Sequence, residues 1–312
     1  MLAGLKKDLR SALKDSFGYM HEAGSRVGLI VLPKHYYVPF PDLRQLRQTR
    51  PRWAKRSQMR GVAVDLDQQI EALHTLVQPF ESEYRGNARF REATQNAFGP
   101  GFGYIEAQAL HGFLRATKPA RIIEVGSGVS THCMLAATSQ NAAEGAPTSI
   151  TCVEPFPSTW LRSAPVRLVQ EKVEDVDLGL FDELTAGDFL FIDSTHAVRV
   201  GGDVLCIINE ILPRLRPGVY VHFHDIYFPY DFQRDADKSL FQWLETAMLH
   251  AYLIGNPRMA ILFCLSHLHY DRQPALKQIF PDYEPDMDQD GLSIPGHPDR
   301  HFPSSLYLHV TA

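Results

Sequence analysis

The chain has 312 residues, of which 45% are hydrophobic and 21% are charged, and its formal net charge is −5. This composition is typical of a soluble globular protein that is long enough for one large α/β domain with an appendage. The mild acidity argues against a dedicated nucleic-acid binder, which usually carries a basic excess.

Residues 1–103 are predicted to form a mainly helical accessory region or lid. "MLAGLKKDLRSALKD" has its leucines at helical spacing, without the unbroken apolar core of a signal peptide. The segment "RQLRQTRPRWAKRSQMR" concentrates seven cations, and two interpretations of it stay open: a solvated face, or a surface for an anionic substrate or headgroup. "FGPGFG" (98–103) marks the predicted boundary to a second domain, residues 104–312.

The four cysteines are far apart and form no C-x-x-C pair, so reduced core thiols are expected. The longest apolar run, "MAILFCL", is too short to span a bilayer. A cytoplasmic location without a membrane span is therefore the default expectation. The exposed aromatic pattern of "HYYVPF" and the modest charge lead us to expect a homodimer.

After residue 103, apolar strands alternate with helices. The predicted strands are "RIIEV", "SITCVEP", "VRLVQ", "DFLFID", "GVYVHFHD", "MAILFCL" and "SSLYLHV". Strands that are apolar throughout indicate a parallel sheet covered on both faces, so the fold class is α/β, Rossmann-like and doubly wound. A helix is predicted within "SLFQWLETAMLHAYL". Residues 266–303 are predicted to be a long excursion before an antiparallel last strand, with His267, His269, His297 and His301 at the surface.

A glycine turn follows the first of these strands. In "EVGSGVST" (124–131), Gly126 and Gly128 allow the backbone to approach a ligand at the start of the next helix. Thr131 stands where a dinucleotide fingerprint has its third glycine, which argues against a nicotinamide cofactor. Glu154 ends the next strand, where a carboxylate can bind both hydroxyls of a ribose. A cofactor with a ribose, no pyrophosphate and a cationic aminoacyl end near Glu124 is S-adenosylmethionine (SAM).

Together, "RIIEVGSGVSTHCMLAA", "ITCVEP" and "GDFLFIDSTHAVRVGGDVLCIINEILPRLRPGVYVHFHDIYFP" resemble class I SAM-dependent methyltransferases over roughly residues 104–265. The resemblance implies a seven-stranded sheet of order 3-2-1-4-5-7-6 with its last strand antiparallel. It also implies the residues that contact the cofactor. Glu124, Gly126, Ser127, Gly128, Ser130 and Thr131 lie on the methionine side, Glu154 on the ribose and Glu174 or Asp175 near the adenine, and Asp193 is a further contact.

Two strand ends carry the groups predicted for catalysis. Asp193 and His196 follow the fourth strand, and His224 and Asp225 follow the fifth, so both pairs reach the same edge of the sheet. The leaving group of SAM is already cationic, so the protein has only to orient a hydroxyl acceptor and remove its proton. His196 is the predicted base, with Asp193 and His224 as further catalytic residues.

Asp193, His224 and Asp225 are also a candidate metal set. In related sugar and macrolide O-methyltransferases three acidic positions here bind magnesium, and His224 replaces one of them, which leaves magnesium, manganese, iron and zinc as candidates. Three interpretations stay open: a metal site, a metal-free acid–base site, and polar groups that only close the strand. His222 is predicted to point to the other face of the strand from His224 and to be structural.

The predicted function is methyl transfer from SAM to a hydroxyl oxygen of a small molecule, such as a sugar or a polyhydroxylated metabolite. Two alternatives are a nicotinamide-dependent oxidoreductase and a non-catalytic scaffold that binds a partner through its first hundred residues. Nucleic acid is not expected among the partners, and no membrane span is expected.

Overall fold

A computed structural model describes residues 16–34, 36–38, 40–96, 101–287, 290–294 and 297–312. The helix predicted for residues 1–15 and part of "FGPGFG" lie outside these ranges. Within them, no helix combines the length and apolar character needed to cross a membrane. The chain divides into two compact units, Met1–Arg50 with Asp237–Gln242, and Pro51–Ala236 with Trp243–Ala312.

In the smaller unit, residues 16–25 are helical, and α1 (Leu43–Trp53) begins there. Arg47 Nε donates to the backbone oxygen of Asp237 at 3.2 Å, and Arg50 Nη1 donates to the Asp237 carboxylate at 2.7 Å. Two cations of the basic segment thus join the two chain segments of this unit.

The larger unit contains a seven-stranded sheet. Its strands are β1 (Arg121–Val125), β2 (Ser149–Val153), β3 (Arg167–Val169), β4 (Phe189–Ile192), β5 (Tyr220–Phe223), β6 (Met259–Cys264) and β10 (Leu306–Val310). The order is β3-β2-β1-β4-β5-β10-β6, and β10 runs antiparallel to both β5 and β6. With β10 as the seventh strand, this confirms the predicted order and the Rossmann-like fold class.

Both faces of the sheet are covered, as the apolar strands require. Phe189 and Phe191 of β4 pack into one core, whereas Leu190 and Ile192 of the same strand pack into the other. The remaining helices are α2 (Leu66–Leu76), α3 (Glu81–Tyr84), α4 (Ala88–Asn96), α5 (Tyr104–Thr117), α6 (Val129–Ala143), α7 (Gly179–Asp182), α8 (Asp203–Cys206), α9 (Glu245–Leu253), α10 (Leu265–Asp271) and α11 (Gln273–Ile279).

The domain boundary predicted at residue 103 does not coincide with the division into units. Leu73 and Val77 at the end of α2 and Phe90 of α4 are buried in the same core as Phe113 of α5. Residues 51–96 therefore belong to the unit that contains the sheet, because their apolar side chains complete its core.

The segment 266–303 is more ordered than its composition indicates. It contains α11, most of α10 and a second sheet of β7 (Pro285–Asp286), β8 (Gly291–Ile294) and β9 (His297–His301). The prediction of surface histidines is wrong for three of them: His267, His269 and His301 are buried. His269, for example, shares a hydrogen bond of 2.8 Å with the Tyr283 hydroxyl. The side chain of His297 lies outside the described part of the chain.

The helix predicted within 239–253 is shorter than expected. It begins only at Glu245, and Leu240, which the helical spacing placed on the apolar face, is 78% exposed. Residues 237–242 belong to the smaller unit, whereas α9 belongs to the larger one.

Candidate active site

The turn between β1 and α6 requires glycine at position 126. Gly126 has a φ of +94°, and a Cβ added there would lie 2.1 Å from the backbone oxygen of Asp193. The Gly126 N–H donates to Val153 O at 3.0 Å, and the Asp193 N–H donates to Val125 O at 2.9 Å. The ends of β1, β2 and β4 are thereby held close together, as a ligand site at this edge requires.

Glu124, predicted to meet the cofactor, is fully buried beneath this turn. Its carboxylate accepts hydrogen bonds from Ser130 Oγ and Thr131 Oγ1, both at 2.7 Å, and from Cys152 Sγ at 3.2 Å. Burial raises the pKa of Glu124 to about 7, although these hydrogen bonds lower it. Three of the predicted cofactor residues are thus bonded to one another, and they fix the first turn of α6.

A cavity of about 250 Å³ lies at the carboxyl ends of β1, β2 and β4. Four predicted cofactor residues line it: Gly126, Glu154, Glu174 and Asp193. Glu154 accepts hydrogen bonds from Ser127 Oγ at 3.1 Å and from the Phe156 N–H at 2.7 Å, which orients its carboxylate. Ser127 supports the cavity through this contact, and the Gly128 N–H donates to Thr131 Oγ1 at 3.0 Å within the turn.

The polar groups that follow β4 and β5 form one cluster. Asp193 Oδ1 lies 3.2 Å from His224 Nδ1 and 3.4 Å from His196 Nε2. Asp225 Oδ2 lies 3.4 Å from His196 Nε2 and 3.6 Å from His224 Nδ1. His196 and Asp225 both have left-handed backbones, with φ of +58° and +55°. Such conformations are uncommon for residues other than glycine and are concentrated at functional sites.

Two glutamates that the sequence analysis missed complete the cluster. Glu245 Oε2 is 2.7 Å from His196 Nδ1, and Glu106 Oε2 is 3.2 Å from His224 Nε2. Both glutamates are 1% exposed. Glu106 also accepts hydrogen bonds from Gly103 N and Ser305 Oγ. The sequence signal that could have identified Glu106 is a carboxylate within the otherwise apolar helix "YIEAQALHGFLRA", which is buried from Tyr104 to Arg115.

The carboxylates control the charge of both imidazoles. Burial by itself lowers the pKa of His196, but its hydrogen bonds to Asp193 and Glu245 outweigh burial and raise the pKa to about 10. Burial likewise opposes the charge of His224, and the neighbouring carboxylates raise its pKa well above the usual range. The pKa of Asp193 is lowered in return, because the two histidines outweigh its desolvation. Both shifts favour the protonated form of the imidazole ring.

The cluster fits a metal ion. Ligand atoms of Asp193, His196 and His224 lie within 4.8 Å of one another. Asp225, from the predicted set, lies beside them, and His196 adds a fourth donor that was predicted as a base. An ion held by Asp193, His196 and His224 would displace the ring protons and would receive two nitrogen donors and one oxygen donor.

Aromatic residues surround the cluster. The ring of Trp243 lies 4.9 Å from that of His196, and the ring of Phe302 stacks on Tyr227 at 5.7 Å. His222 lies on the same face of the sheet as His224, since residues two apart in a strand share a face, and the prediction that it points to the other face is wrong. Both rings contact Phe102, and His222 also stacks on Phe191 at 4.1 Å and shares a hydrogen bond of 2.9 Å with Ser305 Oγ.

Residues 123–226 match the family model described as "Methyltransferase domain". An uncharacterised protein of Archaeoglobus fulgidus is 26% identical over 169 residues, which cover 51% of this chain and 75% of that protein. Among solved structures, the chain is similar to the O-methyltransferase TomG from Streptomyces achromogenes in complex with SAM (13% identity, 80% of this chain and 92% of that chain, TM-score 0.43). It is also similar to the S-adenosylhomocysteine (SAH)-bound Podospora anserina methyltransferase PaMTH1 (12% identity, 90% and 99% coverage, TM-score 0.39).

Proposed function

We propose, from the class I SAM-dependent methyltransferase domain that this chain contains, that the protein methylates a hydroxyl oxygen of a small molecule such as a sugar or a polyhydroxylated metabolite. The observation that carries this proposal is the position of Asp193. It lines the cavity at the ends of β1 and β4, and its Oδ1 lies 3.2 Å from His224 Nδ1. A methyl donor in the cavity would therefore adjoin the cluster that receives the acceptor.

In this proposal the cofactor occupies the cavity with its ribose on Glu154 and its adenine near Glu174. The hydrogen bonds from Ser127 and from the Phe156 N–H orient the Glu154 carboxylate, which would accept hydrogen bonds from two ribose hydroxyls. The methionine end lies over the turn 126–131. Glu124 acts from below this turn, through Ser130 and Thr131, rather than by direct contact.

Methyl transfer is an in-line displacement. A lone pair of the acceptor oxygen forms the new C–O bond while the S–C bond breaks, SAH leaves, and the hydroxyl proton passes to a base. The hydrogen bonds of His196 to Asp193 and Glu245 raise the pKa of this ring to about 10, so it keeps its proton at neutral pH, and we infer that the hydroxyl proton passes to bulk water instead. A divalent ion at Asp193, His224 and Asp225 would supply Lewis-acid activation of the hydroxyl.

The experiment measures SAH binding by calorimetry in the wild type and in Glu154→Ala. We expect at least about tenfold weaker SAH binding in the variant, because the buried ribose would lose a charged hydrogen-bond partner. Glu71→Ala, an exposed change on α2, is the matched control and should bind SAH normally.

Three outcomes would contradict the proposal or one of its parts. Unchanged affinity in Glu154→Ala would remove the ribose assignment. A wild-type protein that binds NAD but not SAH would favour the oxidoreductase alternative. Failure to transfer label from methyl-labelled SAM to any hydroxylated metabolite would favour the scaffold alternative.

A further inference from the structure

We propose that Asp193, His196, His224 and Asp225 together bind one transition-metal ion, of the zinc, manganese or iron(II) class, and that Glu245 and Glu106 orient its two histidine ligands. The role of the ion in methylation rests on the proposed function, but its binding does not. His196 is thereby a metal ligand, and not the catalytic base that its sequence position indicated.

Four of the six spacings between the proposed donor atoms match those of a shared ion. Asp193 Oδ1 lies 3.2 and 3.4 Å from the two ring nitrogens, and Asp225 Oδ2 lies 3.4 and 3.6 Å from them. Four ligands at about 2.0–2.2 Å from one tetrahedral ion are about 3.3–3.6 Å apart. The ligand atoms of Asp193, His196 and His224 also all lie within 4.8 Å of one another, so these three form the centre of the site and Asp225 lies beside them.

The carboxylates bonded to the second nitrogen of each histidine ring also support a metal site. Metal-binding histidines usually donate their second ring N–H to a carboxylate, which fixes the tautomer and turns the other nitrogen to the metal. His196 has Glu245 in this position at 2.7 Å, and His224 has Glu106 at 3.2 Å. Both histidines thus have the second contact that a ligand needs, each from a different helix.

Asp225 is oriented in a similar way. Its Oδ1 accepts hydrogen bonds from Tyr227 OH at 3.0 Å and from Ser304 Oγ at 3.1 Å. These two donors occupy the outer oxygen and leave Oδ2 towards the ring nitrogens. A carboxylate held in this manner presents one oxygen to the two histidine ligands.

The donor types select the class of ion. Magnesium prefers six oxygen ligands and keeps several of them as water, whereas imidazole nitrogen suits zinc and iron, and the two carboxylate oxygens are also acceptable to manganese. Two nitrogens and two carboxylate oxygens therefore disfavour magnesium. Asp193 also lines the cofactor cavity, so the ion would lie next to it.

The test uses full-length protein, purified without a histidine tag, stripped with EDTA and titrated calorimetrically with ZnCl₂, MnCl₂ or MgCl₂. We expect one ion per chain, with zinc or manganese bound at least tenfold more tightly than magnesium. His196→Ala should weaken binding at least about 100-fold, and Glu245→Gln and Glu106→Gln by about 10–100-fold. His74→Ala, a half-buried histidine on α2 that bonds to Gln78, is the matched control.

SAH binding in each sample verifies folding and separates the two proposals. An ion bound by the wild type without SAH binding would contradict the proposed function and leave the metal site standing. SAH binding without ion binding would overturn the metal site alone. Equal ion affinity in His196→Ala and the wild type would likewise overturn the four-ligand site, and magnesium bound as tightly as zinc would overturn the selection of a transition metal.

Discussion

Glu124 carries a cost of burial that its three hydrogen-bond donors only partly offset. The carboxyl group is fully buried, and its pKa of about 7 lies above the usual value of 4.5 because desolvation disfavours the charged form. Between pH 4.5 and 7 the unfolded chain loses this proton while the folded chain keeps it. Stability from this group is therefore complete below about pH 4.5 and is lost as the pH rises through 7.

Replacing Glu124 by glutamine should remove this dependence. The wild type should lose stability on the order of 1.4 kcal/mol per pH unit between pH 5 and 7 from this group, and Glu124→Gln should show a correspondingly flatter profile. Urea unfolding at pH 5, 6, 7 and 8 measures the free energy of unfolding of both proteins. In the difference between the two proteins, the contributions of the other titrating groups cancel. Glu210→Gln, at an exposed position, should retain the wild-type slope. Parallel profiles for the wild type and Glu124→Gln would contradict the raised pKa.

The residues at the strand ends could be predicted from sequence, whereas their helical partners could not. Asp193, His224 and Asp225 follow apolar strands directly, so the edge of the sheet brings them together. Glu106 meets His224 across 118 residues of sequence, and Glu245 meets His196 across 49. No local pattern gives the direction in which a helix presents one carboxylate, so these contacts required the packed structure.

At the scale of elements, the ends of β1 and β4 depend on the glycine turn. An L-residue at position 126 would have a φ of +94° and a Cβ 2.1 Å from Asp193 O, so the backbone would have to move. Such a shift would alter both the cavity and the position of Asp193.

Gly126→Ala should therefore destabilise the protein by at least about 2 kcal/mol, more than the roughly 1 kcal/mol expected from the left-handed backbone alone. Gly145→Ala separates the two effects. Its φ is +85°, but nothing lies within 4 Å of its added Cβ. The free energies of unfolding in urea measure both variants. Equal losses in the two would show that the close approach to Asp193 does not matter.

Elements buried on both sides were the easiest to predict. Continuous apolar runs marked the seven strands of the main sheet, and the order implied by the resemblance is confirmed. Short or irregular elements were not found. The strands β7 to β9 lie among prolines and aspartates, and the buried His267 and His269 belong to α10, where tertiary packing outweighs the polar composition.

At the scale of the whole molecule, the exposed apolar surface is concentrated in the smaller unit. Tyr36 is 93% exposed, Tyr37 80% and Phe40 51%. These residues belong to the stretch "HYYVPF", of which His35 and Pro39 lie outside the described residues. Clustered exposed aromatic side chains are typical of protein interfaces, and they carry the prediction of a homodimer.

We expect the wild type to elute as a dimer at micromolar concentration in size-exclusion chromatography with multi-angle light scattering. Replacing both Tyr36 and Tyr37 by serine should shift it towards the monomer, because aromatic anchors usually contribute most of the binding energy of an interface. Met287→Ser is the matched control, since Met287 is 73% exposed but belongs to the larger unit, and it should leave the mass unchanged. A wild-type mass equal to one chain would refute the dimer, and an unchanged dimer in the double variant would place the interface on another surface.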